Sequence, residues 1–378
     1  MRENTSMPTP VSVDPARWAD PFARACWRDV VTRAQALPEL APQVLLHAGP
    51  PLAGPAPAPI RQAAVQALLF EGLAPDVATA ERLLSTGAVQ LAPAQDHGLV
   101  TPLAQVVSAS MPLAVVGDGS RCAWAPLIEG PAPALRFGTT DAGALQRLRA
   151  IAALGQRLAP LLRASPLPLR PVVEQALKDG DECHARTGAA HQALLARLPQ
   201  LSPQEQAQLA ASPGFVLTIL MAAAAWRLRA DDAPIAAVGG NGQTFGLRLR
   251  GARDWRVLPA APPLGTRFPG HEHTPALGAI GDSAVLDFCG LGGQALAAAP
   301  ALCEEWRATL PRDAATRRAQ VTDPATGLVD PARVRRSGLA PLVNLAILGA
   351  DGAAQLMGRG WYAPDTALFE IPAAGAAR

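Results

Sequence analysis

The stretch from 235 to 250, IAAVGGNGQTFGLRLR, decides the fold class. Phe245, Leu247 and Leu249 alternate with Gly246, Arg248 and Arg250, so one face of a strand is buried and the other is solvated or site-facing. Ile235 to Val238 reads as its partner strand, and Asn241-Gly242 between them is a pair that favours a tight two-residue hairpin turn. The block before this hairpin, Pro168 to about Arg229, has a helical pattern throughout. Strands and helices therefore do not alternate regularly enough for a doubly wound sheet. The expected fold is α+β, two mixed α/β domains joined by a small helical module.

Outward from the hairpin, four segments are expected: an N-terminal arm (1–43), a mixed domain (44–166), a helical module (167–230) and a C-terminal mixed domain (231–378). The arm carries one expected helix, Pro21 to Ala36, with Trp27, Val30 and Val31 on one side. Asp76 to Gly87 has the acid start and glycine stop of a capped helix. Ser202-Pro203-Gln204-Glu205 is a capping box with proline in the first turn, and Ser212-Pro213 interrupts the helix that follows. A buried helix is expected from about Gly214, a helix after the glycine turn to about Leu310, and a last strand over Leu342 to Leu348.

Composition removes several function classes. The net charge of +2 is too small to point to nucleic acid or a membrane surface, and 4% aromatic residues leave little for base stacking. Lys178 is the only lysine. A phosphate-binding G-x-x-x-x-G-K-[ST] loop is absent, and a Schiff base would need Lys178 in a charged turn, without the desolvation that activates a lysine. The five cysteines are widely spaced with no C-x-x-C pair. Phe215 to Trp226, the longest apolar run, is well short of the roughly 20 residues that span a bilayer. The expectation is a reduced cytoplasmic protein with no cofactor and no metal, although His271 and His273 flank Glu272 in a loop that can offer two ligands.

Two polar stretches stand out in a chain that is only 17% charged. Gly281-Asp282-Ser283-Ala284 is followed by Gly290-Leu291-Gly292-Gly293 and an apolar run. Backbone N–H groups at Gly292 and Gly293 can seat an anion or a polarised carbonyl, or the glycines can simply pack a tight entry to a helix. Asp179-Gly180-Asp181-Glu182-Cys183-His184 gathers acids, a thiol and an imidazole. His184 is the candidate acid or base, with Glu182 tuning it; the alternative is a solvated helix start capped by Asp181. Cys183 reads either as a nucleophile or, more simply, as a small core residue. His47 ends a short strand before a proline loop, where it can face a cleft or bond nearby backbone. Asn241, Asp282 and Ser283 complete the candidate substrate contacts.

These segments, taken in order with His47-Ala48-Gly49-Pro50-Pro51, Leu69-Phe70-Glu71-Gly72, Ser110-Met111-Pro112 and Pro341-Leu342-Val343-Asn344, resemble the bacterial YlbE/YahG-like family over roughly residues 44 to 370. The resemblance implies a subunit of oxamate carbamoyltransferase in allantoin breakdown, working beside an FdrA-like subunit in an oligomer. It implies a small ureido or amide acid and phosphate as substrates; for that chemistry the residues offer His184, tuned by Glu182, to handle the proton. The chain departs from the family pattern in three places: a short polar arm, Asp96-His97-Gly98 in place of a histidine-rich turn, and Ser212-Pro213-Gly214-Phe215 in place of Asn-x-His. The alternative is a non-catalytic binding or scaffolding subunit.

Overall fold

The computed structural model describes residues 13–198, 201–212, 214–353 and 355–370, so the start of the arm and Pro213 lie outside it. In chain order the strands are β1 (Cys26–Thr32), β2 (Val44–His47), β3 (Gln90–Pro93), β4 (Pro112–Gly117), β5 (Cys122–Pro126), β6 (Leu167–Pro168) and β7 (Ile235–Asn241). They continue with β8 (Thr244–Leu249), β9 (Arg256–Pro259), β10 (Leu264–Arg267), β11 (Ile280–Gly281), β12 (Val343–Leu348) and β13 (Leu356–Tyr362). Four small sheets result, in the orders β5-β4-β1-β6, β10-β13-β12, β11-β7-β8-β9 and β2-β3. All strand pairs are antiparallel except β2 with β3. Helices pack between these sheets, as the α+β expectation required.

The expected helix Pro21–Ala36 does not form. Residues 26–32 are β1, a central strand between β4 and β6. The cause is a bulge: the β1–β4 register slips between Trp27 and Asp29. An extra residue there turns Trp27 and Val30 to the same side, and both are buried. Spacing of i, i+3 on one face imitates a helix, while the run Val30-Val31-Thr32 carries the β-branched preference that wins.

The block expected to be helical supplies helices Arg170–Lys178, Gly188–Leu195, Pro203–Ala210 and Phe215–Leu228. Ser202 and Glu205 form the reciprocal capping box. Helix Phe215–Leu228 is apolar on every side and packs on β4, β5 and the short helix Ala284–Phe288. No single described helix is long and apolar enough to cross a membrane.

Around this helix runs one apolar core. It includes Trp18, Phe22 and Trp27 from the arm, Leu154 and Leu158 from the long helix Gly143–Ala164, and Phe245, Phe288 and Phe369 near the end of the chain. Side chains from all four expected segments therefore share it.

Two details of the C-terminal part shift from expectation. The β7–β8 hairpin is present, but Gly242 and Gln243 span it, with Gly242 at φ +87° in the first turn position. After the glycine turn, the chain makes two 3₁₀ turns, Gly292–Gln294 and Leu296–Ala298, and only then the helix Pro300–Glu305. Pro300 lacks an N–H and disfavours helical backbone at Ala299, which lies at φ −120°, ψ 64° and breaks the helix there.

Candidate functional site

The D-G-D-E-C-H segment is a loop between helices Arg170–Lys178 and Gly188–Leu195, not a helix start; Asp179 is exposed and Asp181 to His184 are buried. Its own acids hold it in shape. Asp181 accepts the N–H groups of Cys183 at 2.8 Å and Ala190 at 3.0 Å, tying the loop to the first turn of the next helix. Glu182 accepts the N–H of Ala185 at 2.5 Å and of Arg186 at 3.0 Å, folding the loop back under itself. Cys183 sits at φ +68°, a left-handed conformation costly for a side chain.

His184 meets Asp287, a carboxylate alone in the apolar helix Ala284–Phe288. His184 Nδ1 lies 2.8 Å from Asp287 Oδ2. Asp287 Oδ1 accepts two backbone N–H groups, from Gly293 at 2.7 Å and Asn344 at 3.0 Å. Asn344 in turn donates its side-chain amide to Glu182 at 2.9 Å, and the Gly292 N–H goes to the Glu182 carbonyl at 2.8 Å. Three distant stretches of chain, at 182–184, 287–293 and 344, thus close one buried network.

Its electrostatics follow from burial and charge. Burial would lower the His184 pKa, but the Asp287 charge and hydrogen bond, with the Glu182 charge beyond, outweigh it and raise it above the ordinary value. Glu182 is pushed up to about 7, first by burial and then by the Asp181 charge. Burial pushes Asp181 up to about 6. The Cys183 thiol is held well above its usual value by burial and the two neighbouring acids, so it is a core group and not a ready thiolate.

His184 and Ser283 line the same cavity, of about 280 Å³. That is at the small end of ligand pockets, enough for a compact organic acid. Leu103, Ile128 and Leu345 make most of the wall apolar, with Arg136 and Arg359 as its cations. Arg359 is bidentate with Glu305, at 3.0 and 2.6 Å. Burial lowers the Arg136 pKa despite the nearby Glu129, yet a guanidinium stays charged. Leu103, at φ +48°, also lines the cavity, while Gln355, at φ +49°, adjoins the lining residue Leu356; together with Cys183 they are the non-glycine residues at positive φ among those described. Strain of this kind concentrates where a site is held in a set geometry.

The other expected contacts lie elsewhere. Asp282 is buried beside Ser283 but faces the opposite way, accepting the Gly49 N–H at 2.8 Å, the Thr101 N–H at 2.9 Å and the Gln95 amide at 2.6 Å. Burial pushes its carboxyl up to about 7 despite these donors. Asn241 caps its own hairpin by accepting from Gln243 and Thr244, and donates to the Pro50 carbonyl at 3.0 Å. His47 is buried, with Nδ1 at 2.8 Å from the Ala48 carbonyl and its pKa lowered by burial. Asp282 and Asn241 brace the proline loop and its approach against β7, whereas His47 bonds only its neighbour Ala48 and buries Nε2 without a partner among the described residues; none of the three lines the His184 cavity. Gly292 and Gly293, expected to present free N–H groups, donate both to the network itself.

Asp287, Arg136 and the amide of Asn344 were missed as site residues. A lone acid inside the run Ala284-Val285-Leu286-Asp287-Phe288 was the readable signal for the first. Lys178 is exposed and paired with Glu174 at 2.7 Å, so no desolvated amine is present there. Among the described residues no group of three or more His, Cys, Asp or Glu is arranged to hold a metal ion.

The model for the oxamate carbamoyltransferase subunit AllG matches residues 89–283. The oxamate carbamoyltransferase subunit AllG of Escherichia coli K12 is 31% identical, over 92% of this chain and 93% of its own. The uncharacterized protein YahG of the same organism is 30% identical, over 88% of this chain and 79% of its own. A crystal structure of a conserved protein of unknown function from Enterococcus faecalis V583 superposes with a TM-score of 0.82 at 27% identity, covering 94% of each chain. The chain belongs to the AllG family of oxamate carbamoyltransferase subunits.

Proposed function

We propose that this chain is the subunit of a carbamoyltransferase in which the transfer takes place, on a small ureido or amide acid of the oxalurate and oxamate kind. The observation that carries this reading is the His184–Asp287 pair opening on the cavity that Ser283 shares. In the direction that consumes the ureido acid, a phosphate oxygen attacks the carbamoyl carbon and the C–N bond breaks. The products are carbamoyl phosphate and the amide acid. The proton on the phosphate must reach the leaving nitrogen, and His184 is the group placed to take it and return it through Nε2. Asp287, bonded to Nδ1, holds the ring and favours its charged form in that step. Ser283 presents a hydroxyl to position the carbamoyl amide.

In this reading Glu182 is a positioning residue, since its carboxylate is spent on Ala185, Arg186 and Asn344. Gly292 and Gly293 likewise shape the network and do not receive the anion. That last point favours a second reading, a binding subunit whose partner supplies the donors for the carbonyl oxygen. The test is formation of carbamoyl phosphate from oxalurate and phosphate by the chain alone and with an FdrA-like partner. His184→Ala should lower turnover by roughly 10²–10⁴-fold, the usual share of acid–base catalysis. Unchanged turnover in that variant rules out the proposed chemistry.

A further inference from the structure

Arg136 is a cation the transfer chemistry has not used, and its two edges are treated differently. It arises in the loop after β5, next to the buried acid Glu129. Nη1 donates to the Gly130 carbonyl at 2.8 Å, and Glu129 Oε2 lies 3.9 Å from that same nitrogen. The guanidinium lies over the Phe137 ring, 4.4 Å from its centroid, which fixes its plane. Nη2 points the other way: a Cβ built on Gly214, another residue of the cavity wall, would sit 4.0 Å from it. Neither Nε nor Nη2 makes a hydrogen bond to any described residue, while Arg136 as a whole is only 8% exposed. The Arg136 carbonyl accepts the Ala104 N–H at 3.0 Å, so this wall is tied to the strained Leu103 segment opposite.

A guanidinium edge that has no partner among the described residues and opens on a mostly apolar cavity is free to receive an anion there. We infer that the Nε–Nη2 edge of Arg136 receives the carboxylate of the small acid, so that its amide or ureido end is directed toward His184 and Ser283. This rests on the transfer reading for what sits at the far end, but the carboxylate seat itself is read from Arg136. A planar carboxylate matches one guanidinium edge with two parallel hydrogen bonds. A phosphate has three oxygens to satisfy and would have to draw on Arg359, His184 or Ser283 as well, so the single edge suits a carboxylate better. Arg136 would then separate acids from their neutral analogues.

The test is calorimetric titration of the full chain with oxamate and with oxamide, its uncharged diamide analogue, alongside Arg136→Met and Arg136→Lys. Native protein should bind oxamate saturably and oxamide at least about ten-fold more weakly, the discrimination a charged hydrogen-bonded pair supplies. Arg136→Met should lose about ten-fold or more for oxamate and leave oxamide unchanged, which also reports that the cavity is intact. If that variant does not fold, Arg136→Lys decides, since a lysine keeps the charge but loses the planar fork and should bind oxamate several-fold more weakly. Equal binding of the two ligands by native protein, no binding of oxamate, or native affinity in the variants overturns the inference. So does phosphate competition that disappears in Arg136→Met, because it gives the edge to phosphate. The two readings fail separately. An inactive protein with Arg136-dependent oxamate binding refutes the transfer alone, and an active one whose Arg136→Met variant keeps its KM refutes this seat alone.

Discussion

Asp287 spends one carboxylate oxygen on the ring of His184, at 2.8 Å, and the other on the backbone N–H groups of Gly293 and Asn344. One acid thereby fixes both the tautomer of the histidine and the position of two chain segments. The Nδ1 proton is assigned from that bond, which leaves Nε2 for the cavity.

Asp287→Asn separates the two jobs. The amide oxygen can still accept from Gly293 and Asn344, but its NH₂ would face His184 Nδ1 and impose the other tautomer. Turnover should fall by roughly 10²–10⁴-fold with little change in melting temperature. The His184 titration, followed by NMR, should move down toward or below its ordinary value. A histidine titration unchanged from native protein would show that the pair does not govern His184.

Gly292 tests the same network from the backbone side. It sits at φ +50°, and a Cβ there would fall inside contact distance of Asp287 Oδ1 and 3.1 Å from His184 Cβ. Gly292→Ala should therefore disturb the pair directly, lowering turnover and displacing the His184 NMR signal even where the protein stays folded. Normal activity in that variant would mean the network tolerates a shift of the carboxylate.

The sequence was most legible where local chemistry decides structure. The Asp76 cap, the Ser202–Glu205 box and the β7–β8 hairpin all follow from short-range rules. It misled at β1, because a bulge makes a strand present Trp27 and Val30 with helical spacing, and only the pairing with β4 reveals it. For the site, His184 and Ser283 were readable as polar groups in polar stretches. Asp287 and Arg136 were not, because their meaning depends on which distant segment each one faces. Asp282 and Asn241 looked like ligand contacts for the opposite reason: a buried brace and a binding group use the same residue types, and only hydrogen-bond partners distinguish them.

Asp282 makes that distinction measurable. Replacing it with alanine leaves the Gly49 and Thr101 N–H groups and the Gln95 amide without their shared acceptor. Relief from burying the acid offsets part of this, so a loss of about 2–4 kcal/mol in urea unfolding is expected. Loss of oxamate binding with unaltered stability would make Asp282 a ligand residue after all.

Cys183 should be silent toward electrophiles. It is buried, its thiol is pushed well above the usual range, and its neighbours are acids. Iodoacetamide should leave it unmodified in native protein, and Cys183→Ala should keep turnover within a few-fold. Because the residue sits at φ +68°, Cys183→Gly should relieve strain of about 1 kcal/mol, set against the small volume lost. Inactivation by iodoacetamide with labelling at Cys183 would restore it as a nucleophile.

The buried acids predict how stability depends on pH. Burial holds Asp181 at about 6, and Glu182 and Asp282 at about 7. Each binds its proton more tightly folded than unfolded, so its contribution is full below the unfolded value of about 4 and is lost as pH rises through 6 to 7. His184, also raised, acts in the same direction: its contribution is full below about 6.5 and is lost as pH climbs through the folded value. Surface acids oppose this. Asp118, held down to about 2 by the Ser120 hydroxyl and nearby backbone N–H groups, stabilises above about 4 and loses that contribution in acid. The raised acids begin to lose their contribution above about 4, where the lowered ones have reached theirs, so the two sets leave a stability maximum at roughly pH 4 to 5. Melting temperature measured from pH 4 to 9 should therefore peak there and fall by a few degrees toward pH 8. A profile flat or still rising between pH 5.5 and 8 would mean that Glu182 and Asp282 are ionised in the folded protein and held by their donors at no net cost.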